Sequence, residues 1–198
     1  LNDKLFGMMI HPTYTYGKDG YVFFQMFIEN PEPTFFDLFC AYLRKVQDYC
    51  EERNVPFIYC LNPSKITVYE QYLPKGYRYQ DKVNRIMYKK LEEYEINYIA
   101  NEELLKEKSK TEQVYNVKFD AGHWNDLGAF YGTNHILEKV EEYFPTVKPH
   151  KMSDFNIAYV NKDSLPVSRF PINEDIPYFS DKDNDYIEDI SSQYKALK

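Results

Sequence analysis

Glycine is scarce in this chain, 7 in 198 residues, beside 20 Tyr, 14 Phe and one Trp. So little glycine excludes a collagen-like or linker polymer, and 43% hydrophobic with 28% charged residues excludes a disordered one. No apolar run approaches the ~20 residues of a membrane helix, and no stretch has the form of a signal peptide. The chain opens on Leu1 rather than Met, so we expect a fragment, with any membrane anchor lying outside it. Cys40, Cys50 and Cys60 form no CxxC pair and no zinc spacing, and read as small buried hydrophobes that need no disulfide.

Basic stripes are also lacking. The net charge is −7, and Glu174 to Asp189 holds seven acids against Lys182 alone, so phosphate neutralisation and nucleic-acid binding are disfavoured. The acidic run reads as a solvated, mobile segment. Asp181, Asp183 and Asp185 have the spacing of an EF-hand opening. But the sixth position is not Gly and the twelfth is Ser192 rather than Glu, so calcium is disfavoured too. No metal or cofactor is expected.

What is present alternates. Tyr14–Tyr16 and Tyr21–Phe24 flank Gly17-Lys18-Asp19-Gly20 and predict a hairpin. Helical periodicity over 35–53 precedes a short apolar run at 55–61, and a second helix over 83–94 precedes a strand at 96–99. A short helix over 102–108, a strand candidate at 114–119 and a long helix over 126–144 follow. This order predicts an α/β fold with a mostly parallel sheet, incomplete in this chain. We assign residues 1–149 to that domain and 150–198 to an irregular acidic arm or crossover, with a further helix beginning near Tyr186.

Two segments leave predicted strands with polar residues, where parallel α/β sheets collect ligands. They are Asn62-Pro63-Ser64-Lys65 and Asp120-Ala121-Gly122-His123-Trp124-Asn125. Asp120 and His123, three apart around a glycine, can pair carboxylate with imidazole and leave the second ring nitrogen free as a base toward a hydroxyl. Asn125 or Asp126 can cap the following helix. Turn chemistry alone accounts for the same residues. A metal site from Asp120, His123 and Asp126 lacks a third well-spaced ligand. His11, His135 and His150 are isolated, and Lys65 serves either an anion or a loop cap.

The block Asp120-Ala121-Gly122-His123-Trp124-Asn125-Asp126-Leu127-Gly128-Ala129 resembles the Asp-x-x-His block of SGNH (GDSL-like) hydrolases. It is more similar still to the alginate O-acetyltransferase-like and DHHW branch. Gly17-Lys18-Asp19-Gly20-Tyr21-Val22-Phe23 resembles that branch's hairpin. Asn62-Pro63-Ser64-Lys65 with Val68-Tyr69-Glu70-Gln71-Tyr72-Leu73-Pro74 resembles its Pro-x-Lys stretch. The resemblance implies a flavodoxin-like three-layer α/β/α fold and a Ser-His-Asp mechanism. It also implies acyl transfer on or off cell-surface polysaccharide outside the cytoplasm, with polysaccharide and an acyl donor as partners.

Carried over, His123 is the general base. Asp120 is its orienter by the ordinary hydrolase spacing, although the acetyltransferase branch places the carboxylate where Ala121 stands. Asn62, Lys65 and Trp124 become candidate substrate-binding residues, Asn62 as an oxyanion donor. No Gly-Asp-Ser occurs, and none of the eight serines lies in a strand-to-helix elbow. We therefore expect the nucleophile outside this chain, and the fragment alone inactive. The alternative is a non-catalytic polysaccharide-binding or surface module on the same fold, motivated by the tyrosines.

Overall fold

In a computed structural model, residues 13–24, 34–74, 76, 82–166 and 170–182 are described. The expected hairpin is there: β1 (Tyr14–Tyr16) pairs antiparallel with β2 (Val22–Phe24), Thr15 opposite Phe23. Its turn places Asp19 at φ 53° and Gly20 at φ 81°, and the second of these is a backbone that glycine adopts without strain.

Two helix-to-strand units follow, and both turn the same way. Helix α1 (Thr34–Glu51) ends with Asn54 at φ 55°, where Val55 N–H reaches the Cys50 carbonyl and Asn54 N–H that of Glu51. Beyond the short helix α2 (Lys65–Val68), helix α3 (Lys82–Glu93) ends with Glu95 at φ 51°, with Ile96 N–H on Leu91 and Glu95 N–H on Glu92. These are Schellman ends built without glycine, which satisfy the last carbonyls and aim the chain into a strand. The strands they feed, β3 (Tyr59–Leu61) and β4 (Tyr98–Ala100), pair in parallel with Leu61 opposite Ala100. Phe36, Cys40 and Leu43 of α1 pack with Met87 and Leu91 of α3 and with Ile96 in one core cluster.

Helix α4 (Glu102–Lys108) follows β4 directly, and α5 (Asp126–Glu141) is the second-longest helix. A second cluster joins Tyr21 and, in β2, Phe23 to Ile66, Val68, Tyr69, Leu73, Leu105, Val114 and Tyr115. Much of the aromatic excess is here: Tyr21 stacks on Tyr72 at 4.1 Å, and Tyr69 meets Tyr115 edge-on.

The α/β class is as expected, but parallel pairing among the described residues is confined to β3 and β4. The strand expected at 114–119 does not form. Tyr115 makes one isolated bridge to Trp124, Val22 N–H reaches the Val117 carbonyl, and the amides of Val117, Lys118 and Phe119 are met by the Glu174 side chain instead of a ladder. The larger correction concerns the segment expected to be irregular. Strands β5 (Phe155–Ser164) and β6 (Pro171–Asp181) form a long antiparallel hairpin, shifted in register between Lys162 and Ser164. Its Phe155 and Phe179 rings pack with Phe130 of α5. The prolines that suggested irregularity sit where a two-stranded ribbon tolerates them, Pro171 at a strand start and Pro177 within a strand that has one open edge. The helix expected from Tyr186, with Asp183 and Asp185, lies outside the described residues.

Candidate active site

Asp120 and His123 meet as their spacing suggested. His123 Nδ1 lies 3.0 Å from Asp120 Oδ2 and 3.2 Å from Oδ1. The turn itself shapes the pair, because Oδ1 also accepts the amides of Gly122 at 2.8 Å and His123 at 2.9 Å. Burial pushes the Asp120 carboxyl up, but those two amides and the imidazole outweigh it and hold the group below its ordinary 3.8. The carboxylate is thus ionised and fixed, and Nδ1 is the nitrogen that carries a proton toward it. The His123 side chain is 77% exposed against 23% for Asp120, so the ring reaches outward from a carboxylate set deeper. Phe24 of β2 meets the ring edge-on at 6.5 Å.

The helix after the dyad starts where the sequence placed it. Asn125 caps α5 by accepting Gly128 N–H at 3.0 Å and donates its own amide to the Gln113 carbonyl at 2.7 Å. Gly128 and Gly132 let α5 approach closely. A Cβ on Gly128 would collide with the Val114 carbonyl, and one on Gly132 would stand 2.6 Å from the Trp124 ring. Trp124 is therefore half-buried between the turn and α5, packed against the second core cluster.

Lys65 is likewise not a surface cation. It is fully buried, and its Nζ donates to the carbonyls of Val22 at 2.7 Å and of Val117 and Asp120 at 2.9 Å. The expectation that it contacts substrate is thus corrected: three backbone acceptors use all three donors of the ammonium. Burial drives this lysine down to about 7, against the pull of the Glu174 and Asp120 carboxylates. Its backbone N–H bonds the Gly122 carbonyl at 3.0 Å, so the two polar segments singled out in the sequence run side by side.

Asn62, at the end of β3, is exposed. Its Oδ1 accepts from Asn101 Nδ2 at 2.8 Å, which leaves the NH₂ end as what it can offer. Asn101 stands at the matching end of β4, fully buried, and its Oδ1 lies 2.7 Å from Nδ1 of His135. His135 is thereby a packing partner of the strand ends. Asn101 was missed in the sequence, though an Asn after each of two paired strands was a signal. Glu174 carries no such sequence signal. One oxygen accepts from Val117 N–H at 2.6 Å and the other from Lys118 and Phe119 N–H at 2.7 Å each.

Of the serines, Ser64 pairs with Thr67, Ser109 bonds the Lys106 carbonyl and Ser164 bonds Asp163. Among the described residues there is no group of three or more His, Cys, Asp or Glu placed to hold a metal ion, and no helix long and apolar enough to cross a membrane.

Comparison with known proteins adds the following. The family model described as an SGNH hydrolase-like domain of acetyltransferase AlgX matches residues 15–164. The O-acetyltransferase domain of Pseudomonas putida AlgJ superposes with a TM-score of 0.64 at 16% identity, over 87% of this chain and 67% of that one. Bacillus cereus PatB1 carrying a sulfonyl adduct gives 0.64 at 21% identity, over 84% of this chain and 56% of that one. A second PatB1 structure gives 0.63 at 20% identity, over 83% and 57%. At these identities the likeness is one of fold. The chain spans little more than half of the PatB1 chains. No curated protein matches.

Proposed function

This chain belongs to the family of SGNH hydrolase-like domains of acetyltransferase AlgX, and from that premise we propose that it is the base-bearing part of an O-acyltransferase or esterase acting on polysaccharide outside the cytoplasm. The observation that carries the reading is the 3.0 Å contact of His123 Nδ1 with an ionised, amide-anchored Asp120. A serine nucleophile completes the mechanism. We place it outside these 198 residues, because the sequence holds no Gly-Asp-Ser and none of its eight serines reads as a strand-to-helix elbow. The chain alone is then inactive.

The residues divide the work as follows. The serine oxygen attacks the acyl carbonyl of the donor while His123 Nε2 takes its proton, and the Asp120 carboxylate steadies the imidazolium that forms. Nε2 returns that proton to the departing donor oxygen as the acyl–serine ester is left behind. In the second half, Nε2 takes a proton from a sugar hydroxyl, or from water in hydrolysis. The ester is cleaved and the proton goes back to the serine oxygen. The Asn62 NH₂ would donate to the oxyanion.

The alternative, a non-catalytic polysaccharide-binding module, calls for a separated Asp120 and His123, and the contact weighs against it. The test is hydrolysis of an activated acetyl ester by the full-length protein. His123→Ala should abolish it, and a variant as active as the wild type would refute the reading.

A further inference from the structure

Residues 117–120 lead into the dyad turn without belonging to a strand; the Val22 N–H reaches the Val117 carbonyl at 2.8 Å, and side chains meet the segment's other bonded peptide groups. Two charged side chains do. Lys65 holds carbonyls, those of Val117 and Asp120, and adds that of Val22 in β2. Glu174 of β6 holds amides, those of Val117, Lys118 and Phe119. Val117 is gripped at both of its peptide groups.

Placing an ammonium in a fully buried position is costly, and an apolar side chain of the same volume is often the more stable choice. Here the cation meets three carbonyls, and charge-assisted bonds of this kind are the strong ones. The last of those carbonyls belongs to Asp120 itself, while the Lys65 amide takes the Gly122 carbonyl. Residue 65 therefore bonds the first and third residues of the turn that ends on His123.

We infer that Lys65 and Glu174 are positioning residues of the active site, a cation on the carbonyls and a carboxylate on the amides of residues 117–120, which together set where Asp120 holds the His123 ring. The inference rests on the assignment of His123 and Asp120 as base and orienter. It extends that assignment to a buried lysine with no access to substrate, and to a glutamate 51 residues after His123, beyond the stretch that the family model matches.

The test makes Lys65→Met, Glu174→Gln and His123→Ala separately in the full-length protein. Two readouts are taken: steady-state hydrolysis of an activated acetyl ester, and hydrogen exchange at the Gly122 and His123 amides. Misplacing a catalytic group by about 1 Å costs about 10²-fold in rate. Lys65→Met should accordingly lower kcat by about that factor with KM little changed, and Glu174→Gln by about tenfold. Both should speed exchange at Gly122 and His123 while amides in α1 and α3 keep wild-type protection. A merely structural role would loosen the molecule evenly. If Lys65→Met does not fold, Glu174→Gln, on the partly exposed hairpin, decides by the same two readouts. Wild-type kcat and exchange in the clamp variants beside a dead His123→Ala would overturn this inference alone. Full activity in His123→Ala would overturn the functional assignment instead.

Discussion

Asp120 Oδ1 accepts two backbone amides of its own turn, Gly122 and His123, while Oδ2 faces the His123 ring at 3.0 Å. One carboxylate thus shapes the loop and orients the base. Asp120→Asn keeps an acceptor for the amides but presents an NH₂ or a neutral oxygen to Nδ1. We expect kcat of the full-length protein to fall by about 10²–10⁴-fold, as for loss of general-base assistance, with little change in folding. Steady-state kinetics and circular dichroism on the same variant check this.

Stability should respond to acid through the same group. Because the folded carboxyl lies below its ordinary 3.8, the unfolded chain binds the proton more readily. The stabilisation is therefore complete above about pH 4 and is lost as the pH falls through the folded value. Urea midpoints measured from pH 6 down to pH 3 should drop more steeply for the wild type than for Asp120→Asn. Parallel slopes would contradict the shift.

Gly132→Ala tests the close approach of α5 to the turn. Alanine gains about 1 kcal/mol over glycine by helix propensity alone. Here its Cβ would stand 2.6 Å from the Trp124 ring, and overpacking of that kind costs about 1–3 kcal/mol. A net loss of stability is expected. Trp124 is the only tryptophan, so its emission should also shift as the ring is displaced. Unchanged emission with raised stability would show that the ring yields freely.

Asn125→Ala removes the α5 cap and the bond to Gln113 together. A cap is worth about 0.5–2 kcal/mol, and the freed Gln113 carbonyl adds to the loss. Thermal denaturation should place this variant below Asn134→Ala, a half-buried control on the same helix whose side chain bonds the His150 backbone.

Local signals carried the elements whose partners are near in sequence. The hairpin turn at Gly17–Gly20, the helix over 102–108 and the Asp120–His123 pair were legible because three or four residues suffice to define each. Lys65 was legible as special but not as buried. Nothing within ten residues of it announces carbonyls at positions 22, 117 and 120. Apolar alternation misled at 114–119, where Val114 and Tyr115 are core but the amides of residues 117–119 bond the Glu174 side chain. Glu174 looked like one more solvated acid in a charged run, because a carboxylate bound to three amides leaves no mark in composition.

The β5–β6 hairpin also bears on how the protein can be divided. A chain ended at residue 149 keeps Asp120, His123, Lys65 and every helix described above. It would nonetheless leave the amides of Val117, Lys118 and Phe119 facing no acceptor. Through these contacts, which span 55 to 57 residues, the geometry of the loop bearing Asp120 depends on β6 being present. Any unit expressed to keep that loop intact therefore includes β6, and the acidic ribbon is part of the site's scaffold rather than an appendage to it.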